Sequence, residues 1–320
     1  MGKSYNGKIL HVDLGAGTVR VEEPGELFYR TYLGGRNFIG YYLLRDLPDG
    51  AGPLSPDNLL IFAASVLTGL PVSGLSRNSI GAKSPVTGGW ADSEVGGFWG
   101  AEFKAAGYDA LVLRGRAEKP VYLWIKDGQV ELRSAQALWG LTTGQTEAAL
   151  RRELGDERIR VAQIGPGGES LIQYACIIQD LHFAAGRNGL GAVMGSKNLK
   201  AVVVRGTRKP EGADPETVKK YARKAATGWK ENRERLGVHG TASGAIGLHT
   251  AGQIPTRNFQ EDVFEGTPKI TGQAMTETIL SGTEGCYACA IRCKRVVEAE
   301  ELPKSLIGKV LRRKVRDSLL

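Results

Sequence analysis

Three of the four cysteines stand within GCYACAIRCKR, residues 285–295, as Cys286, Cys289 and Cys293 in a C-x2-C-x3-C spacing. Thiolates are soft ligands, and three on one short loop suit an iron–sulfur cluster that takes its fourth ligand from elsewhere. Zinc is the competing occupant, because tetrahedral sulfur ligation serves it as well, although the second C-x2-C or H-x3-5-H pair of a zinc finger is not nearby. Incidental thiols are the bland alternative. The fourth cysteine, Cys176, lies in the apolar run YACIIQ and reads as a small core residue. Arg292, Lys294 and Arg295 flank the loop, where they either offset thiolate charge or form a solvated face.

Two further stretches have residue types suited to binding. AAGRNGLGAVMGSKNLK is neither a Walker A loop nor a dinucleotide fingerprint placed after a strand. Its glycines ahead of a helix start, with Arg187 among them, would cradle an anion, and tight helix packing explains the same glycines equally well. His182, just upstream, reads as a satisfied core histidine. In SRNSIGAKSP, Arg77 is a candidate anion-binding residue. In SEVGGFWGAEFK, Gly96 and Gly97 permit a ligand to approach the backbone, and Glu94 can accept hydrogen bonds from the N–H groups of a heterocycle.

The elements that must position these residues can be read from periodicity and punctuation. GKILHVDLGAGTVRVEE (7–23) alternates around a glycine turn and predicts a hairpin, as does KPVYLWIKDGQVELR (119–133) with Asp127–Gly128 at its turn. Residues 26–46 predict a helix interrupted at Gly34–Gly35, and LLIFAASVLTG predicts a core strand. GAEFKAAGYDALVLRG reads as a helix leading into a strand. TGQTEAALRRELG (143–155) is an amphipathic helix with a threonine cap and a glycine stop. IRVAQIGPGG and LIQYACIIQD are strand-like, and 184–206 is a glycine-rich helix followed by a strand. RGTRKPEGADPET (205–217) is the best linker. An amphipathic helix follows it, and then mixed helix and loop up to the cysteines. The fold class is therefore α+β, strand-rich to about residue 209 and mainly helical beyond.

The bulk numbers exclude several classes. The 320 residues are 42% hydrophobic and 24% charged, the balance of a globular protein with a real core. No apolar run approaches the length of a membrane span, and no signal peptide is evident, so the expected setting is cytoplasmic and reducing. Most of the net charge of +8 sits in the segment from Lys304 onward, where six basic residues face the single acid Asp317. A nucleic-acid partner inferred from charge would rest on that tail alone, and neither nucleic acid nor membrane is an expected partner.

LTG, RNSIGAKSPVTG, GGFWGAEFKAAGYDALVLRG, AEKPVYLWI, IGPGGE, AAGRNGLGAVMGSKNLKAV, RNFQ and GCYACAIRC, taken in order and spacing, resemble the tungsten-containing aldehyde:ferredoxin oxidoreductases over residues 5 to about 300. The resemblance implies three parts: a pterin-binding domain of two β-sheets over 1–209, the start of a helical domain with the cysteine motif over 210–303, and an atypical basic tail over 304–320. It implies a tungsten (or molybdenum) bis-pyranopterin with a bridging Mg2+, and a [4Fe–4S] cluster. It further implies oxidation of a small aldehyde to its acid, and electron delivery to ferredoxin or an iron–sulfur subunit. A homo-oligomer is compatible with it. By position, Arg77, Glu94, Gly96, Ala184 and Arg187 would contact the cofactor, and Cys286, Cys289 and Cys293 would ligate the cluster. Phe183 departs from the family's arginine, and Glu94 from its asparagine; both point toward a sister group that reduces aromatic thioesters. Family chains continue to a fourth cysteine, so a truncated, non-functional form is a further expectation.

Overall fold

The structure, a computed structural model, describes residues 4–231 and 236–297. The chain divides into two compact units, residues 1–225 with 286–289, and the remainder. The basic tail of the sequence lies outside the described residues.

The first unit runs, in chain order, through β1 (Ile9–Asp13), β2 (Thr18–Glu22), α1 (Glu26–Tyr32), α2 (Arg36–Asp46), β3 (Leu60–Ala64), β4 (Asn78–Lys83), β5 (Trp90–Val95), α3 (Trp99–Ala105) and β6 (Ala110–Arg114). It continues through β7 (Val121–Lys126), β8 (Gln129–Ser134), α4 (Thr143–Leu154), β9 (Arg160–Gln163), α5 (Pro166–Glu169), β10 (Ile177–Gln179), β11 (Phe183–Ala185), α6 (Leu190–Ser196) and β12 (Leu199–Arg205). One sheet has the strand order β2-β1-β6-β3-β4-β5, the other β11-β10-β9-β12-β7-β8. Each contains one parallel seam, β1 with β6 and β7 with β12, and is otherwise antiparallel.

The central strands are buried on both faces, which is why they read as unbroken apolar runs. Along β3, Leu60 and Phe62 enter a core shared by both sheets, whereas Ile61 and Ala63 pack with Tyr29, Phe38 and Tyr42 of α1 and α2. Along β12, Val202 and Val204 enter the shared core, and Ala201 and Val203 join Leu150 of α4. Trp99 and Phe103 of α3 fill the shared core as well, and the Trp99 indole N–H donates to the Val202 carbonyl at 3.1 Å.

The local signals act as their chemistry dictates. Asp127 and Gly128 both take positive φ, as a two-residue hairpin turn requires. Gly34, at φ +96°, ends the first helix where a Cβ would sit 2.4 Å from the Ala64 carbonyl oxygen. Thr142 and Gln145 form a capping box ahead of α4, and Gly155 closes it in the left-handed region. The strand expected over IGPGG is instead the short helix α5, started by Pro166, and only Ile177–Gln179 of LIQYACIIQD is strand.

Two buried cations tie the layers together. Lys104 and Asp109 pair at 2.6 Å with almost no exposure, and Asp109 also accepts from the amides of Asn6 and Gly7 and from the Tyr29 hydroxyl. Lys197, fully buried, donates to the carbonyls of Pro56, Asn58 and Gly115 at 3.3, 2.5 and 3.2 Å.

From Pro215, α7 (Pro215–Glu231) crosses the division. The second unit then comprises α8 (Leu236–His239), α9 (Ala245–Thr250), α10 (Gly272–Thr278) and an antiparallel pair, β13 (Leu280–Glu284) with β14 (Lys294–Val297). That pair, whose connection is the cysteine loop, does not show in the sequence pattern. Among the described residues no helix is long and apolar enough to cross a membrane.

Candidate functional site

Arg77 and Glu94 lie at the same edge of the first sheet. Arg77 enters β4, Glu94 lies on β5 opposite Ser79, and both line one cavity of about 250 Å3. Both side chains are exposed, and neither has a hydrogen-bond or ion-pair partner among the described residues. Two charges of opposite sign, held at one cavity without partners, are free to take an anionic group and an N–H donor respectively. The same cavity is lined by Gly34, Gly35 and Arg36, residues that sequence reasoning treated only as a helix break. Arg36 is tethered to Asp92 at 3.3 Å. Nothing in the sequence pattern marks Arg36, since only the fold brings Asp92 and the cavity to it.

Gly96 and Gly97 follow β5 and form the seat of the cysteine loop. A Cβ on Gly96 would stand 2.9 Å from the Cys286 sulfur, and one on Gly97 only 2.6 Å from the Phe183 ring. The Gly97 carbonyl accepts from the Tyr287 amide at 3.1 Å, and the Ser73 hydroxyl donates to the Ala288 carbonyl at 3.4 Å. Asp180, in the turn between β10 and β11, takes the amides of Phe98 and Trp99 on one carboxylate oxygen at 2.9 and 3.1 Å. Burial pushes the Asp180 carboxyl up, against the pull of those amides and of Arg160. Asp180 was not singled out from the sequence, since its partners stand 82 and 81 residues away.

Phe183 itself is 7% exposed and belongs to the shared core, so no charge is presented at that position. Ala184 and Arg187 beside it are exposed, and Arg187 has no partner among the described residues. The next residue, Asn188, is fixed to β5 by its amide on the Asp92 carbonyl at 2.8 Å. Packing accounts for most of the glycines around α6. Cβ atoms on Gly189, Gly191 and Gly195 would approach the Gln173, Ala175 and Gly168 backbones within 2.2, 2.7 and 2.0 Å. The helix is seven residues long, so Arg187 and the exposed backbone before it are what this segment offers a ligand. Two sequence readings are corrected here. His182 is an exposed turn residue and not a core histidine, and Cys176 is half-buried and not a core thiol. Both follow from β10 being three residues long, which leaves its flanks at the surface.

Cys286, Cys289 and Cys293 are free, half-buried thiols. The first two belong with the first unit, and the Cys289 amide donates to the Cys286 carbonyl in a tight turn. In the second unit, Arg292 donates to the Thr283 carbonyl at 2.6 Å, and Arg295 to the carbonyls of Gly237 and Arg292 at 3.2 and 2.5 Å. These guanidiniums tie backbone first; burial lowers the pKa of Arg295, while a Cys293 thiolate would raise it. Among the described residues, no three His, Cys, Asp or Glu side chains are gathered closely enough to hold a metal ion. The donor chemistry suits a soft metal or an iron–sulfur cluster, and the missing Cβ of Gly96 is what gives the Cys286 sulfur its room.

Comparison with known proteins adds relatives to this geometry. Residues 9–206 match the family described as aldehyde ferredoxin oxidoreductase, N-terminal domain, and residues 216–312 match its domains 2 and 3. The second match runs past residue 300, where the motif resemblance stops. The chain is 43% identical over 295 residues to a tungsten-containing aldehyde ferredoxin oxidoreductase of Pyrococcus abyssi, covering 91% of this chain and 49% of that one. It is 34% identical to the WOR-like subunit of an aliphatic sulfonate oxidoreductase of Pyrococcus furiosus, covering 92% and 49%. Among solved structures, the active-site complex BamBC of benzoyl coenzyme A reductase, with 1,5-dienoyl-CoA, superposes with a TM-score of 0.81 at 32% identity over 95% of this chain and 48% of that one. The chain thus spans about half the length of the relatives it matches. With a family match covering more than half of its residues, it belongs to the aldehyde ferredoxin oxidoreductase family.

Proposed function

We propose that this chain supplies the cofactor-supporting face of a tungsten-dependent oxidoreductase that converts aldehydes to carboxylic acids. When bound, a tungsten (or molybdenum) bis-pyranopterin would bring the two-electron chemistry, and a [4Fe–4S] cluster the route by which electrons leave toward ferredoxin or an iron–sulfur subunit. The chain's own residues position and shield. Arg77 presents a planar fork of donors to a phosphate, where Mg2+ would also bind. Glu94 accepts from the pterin's N–H groups. Gly96, Ala184 and Arg187 offer backbone and a second cation. Cys286, Cys289 and Cys293 give thiolates to the cluster. The observation carrying this reading is the unpaired Arg77–Glu94 couple in one cavity, on the sheet edge that leads directly into the Gly96 seat of Cys286.

Anaerobic expression with tungstate and iron, followed by elemental analysis, tests it. Tungsten and iron are expected to copurify, with tungsten lost from Arg77→Ala and iron from Cys286→Ser. Zinc in place of both metals overturns the proposal. A second reading, a subunit that reduces aromatic acyl-CoA thioesters, is favoured by the buried Phe183 where a charged contact would stand. Viologen-coupled assays with aldehydes and with aromatic thioesters separate the two.

A further inference from the structure

We infer that Asp180 is a positioning residue for the Cys286–Cys289 turn, acting through the backbone of Gly97, Phe98 and Trp99. Asp180 is 8% exposed and accepts from the Phe98 and Trp99 amides, 82 and 81 residues away in the chain. It is itself held firmly: its amide donates to the Val161 carbonyl at 3.1 Å, and its carbonyl accepts from the His182 amide at 2.8 Å. Asp180 and Leu181 both take positive φ, +49° and +60°, a conformation that non-glycine residues adopt at a cost. The same reversal delivers Phe183, whose ring fills the space above Gly96 and Gly97. One hairpin thus fixes the seat from two directions, by a carboxylate on its amides and by an aromatic ring on its glycines.

The seat passes that order to the thiol. Gly97, adjacent to the clamped amides, is the residue whose carbonyl takes the Tyr287 N–H, and Gly96 is the residue on which the Cys286 sulfur rests. Simple capping of α3 is the competing explanation. That helix is seven residues long and has no side-chain cap of its own, so the carboxylate also satisfies its first amides. The rigid attachment of Cys286 is what the arrangement produces in addition. This inference rests on the proposed role of Cys286 as a ligand.

The test uses the full chain, metal-free and reduced, with iodoacetamide as probe and peptide mass spectrometry reporting each cysteine separately. Asp180→Leu removes both charge-assisted hydrogen bonds and is expected to raise the alkylation rates of Cys286 and Cys289 about tenfold or more. Asp180→Asn keeps a neutral acceptor and is expected to raise them about threefold, half the effect in free energy. Cys176, in the same unit but off this turn, is expected to keep its rate. If Asp180→Leu does not fold, the asparagine variant alone decides. Unchanged Cys286 reactivity, or Cys176 rising in step, overturns the inference. Absence of iron from the wild-type chain would instead sink the ligand reading and leave this pattern standing.

Discussion

Lys197 shows how a single residue can make stability depend on pH. Its ammonium is satisfied by three carbonyls and by no carboxylate, and burial beside Arg116 and Arg114 lowers its pKa to about 7. In the unfolded chain the same amine holds its proton to about 10.4. Between those values the unfolded state binds more protons, so stability rises with pH and falls again as pH drops toward 7. Urea unfolding at pH 7 and pH 9 is expected to show the wild type gaining about 2 kcal/mol over Lys197→Met, with no such gain if the lysine stays charged throughout. Gly97 makes a steric prediction. Alanine there meets both a positive φ and the Phe183 ring at 2.6 Å, and is expected to cost about 2 kcal/mol or more by thermal unfolding. At this scale the candidates could be picked out by type and spacing, Arg77, Glu94 and the three cysteines among them, and the fold places the first two at one cavity. Asp180 and Arg36 were not, because their roles come from partners that only the fold brings near.

Elements were legible wherever one local signal sufficed. The Asp127–Gly128 turn, the threonine cap of α4 and the Gly34–Gly35 break each act within a few residues of themselves, although the capping box and its place at Thr142 came only with the structure. Thr142→Ala is expected to cost about 1 kcal/mol, read from the shift in urea midpoint. The short strand β11 and the pair β13–β14 were missed, and β10 was drawn too long, because three to five residues carry no usable period. Glycine had two meanings that spacing alone leaves unresolved. Gly195 lets α6 touch α5, its Cβ position 2.0 Å from the Gly168 oxygen, whereas Gly228 lies in α7 with nothing within 4 Å. Replacing Gly195 with alanine is therefore expected to cost at least about 3 kcal/mol or abolish folding. The same change at Gly228 is expected to add up to about 1 kcal/mol. Equal effects at both positions would contradict the packing described.

Across the molecule, the α+β class followed from texture, but the strand order did not, since the parallel seams join segments with no local relation. Trp99 measures how far the two sheets depend on each other. It stacks on Phe103, leans on Phe62 of one sheet and bonds to Val202 of the other. Trp99→Ala is expected to lose about 3–5 kcal/mol in a single denaturant transition reported alike by circular dichroism and by fluorescence of the remaining tryptophans. The seams also set a timetable for synthesis. Ile9–Asp13 can close one edge at once against β2, but its other edge waits for Ala110–Arg114. At ribosomal speed that is roughly 5–20 s with a bare apolar strand edge in the hands of a marginal hairpin. Leu10 and Val12 are thus a hazard to the nascent chain before they are a core, and a chaperone that recognises apolar strands would meet this segment well before β6 is made.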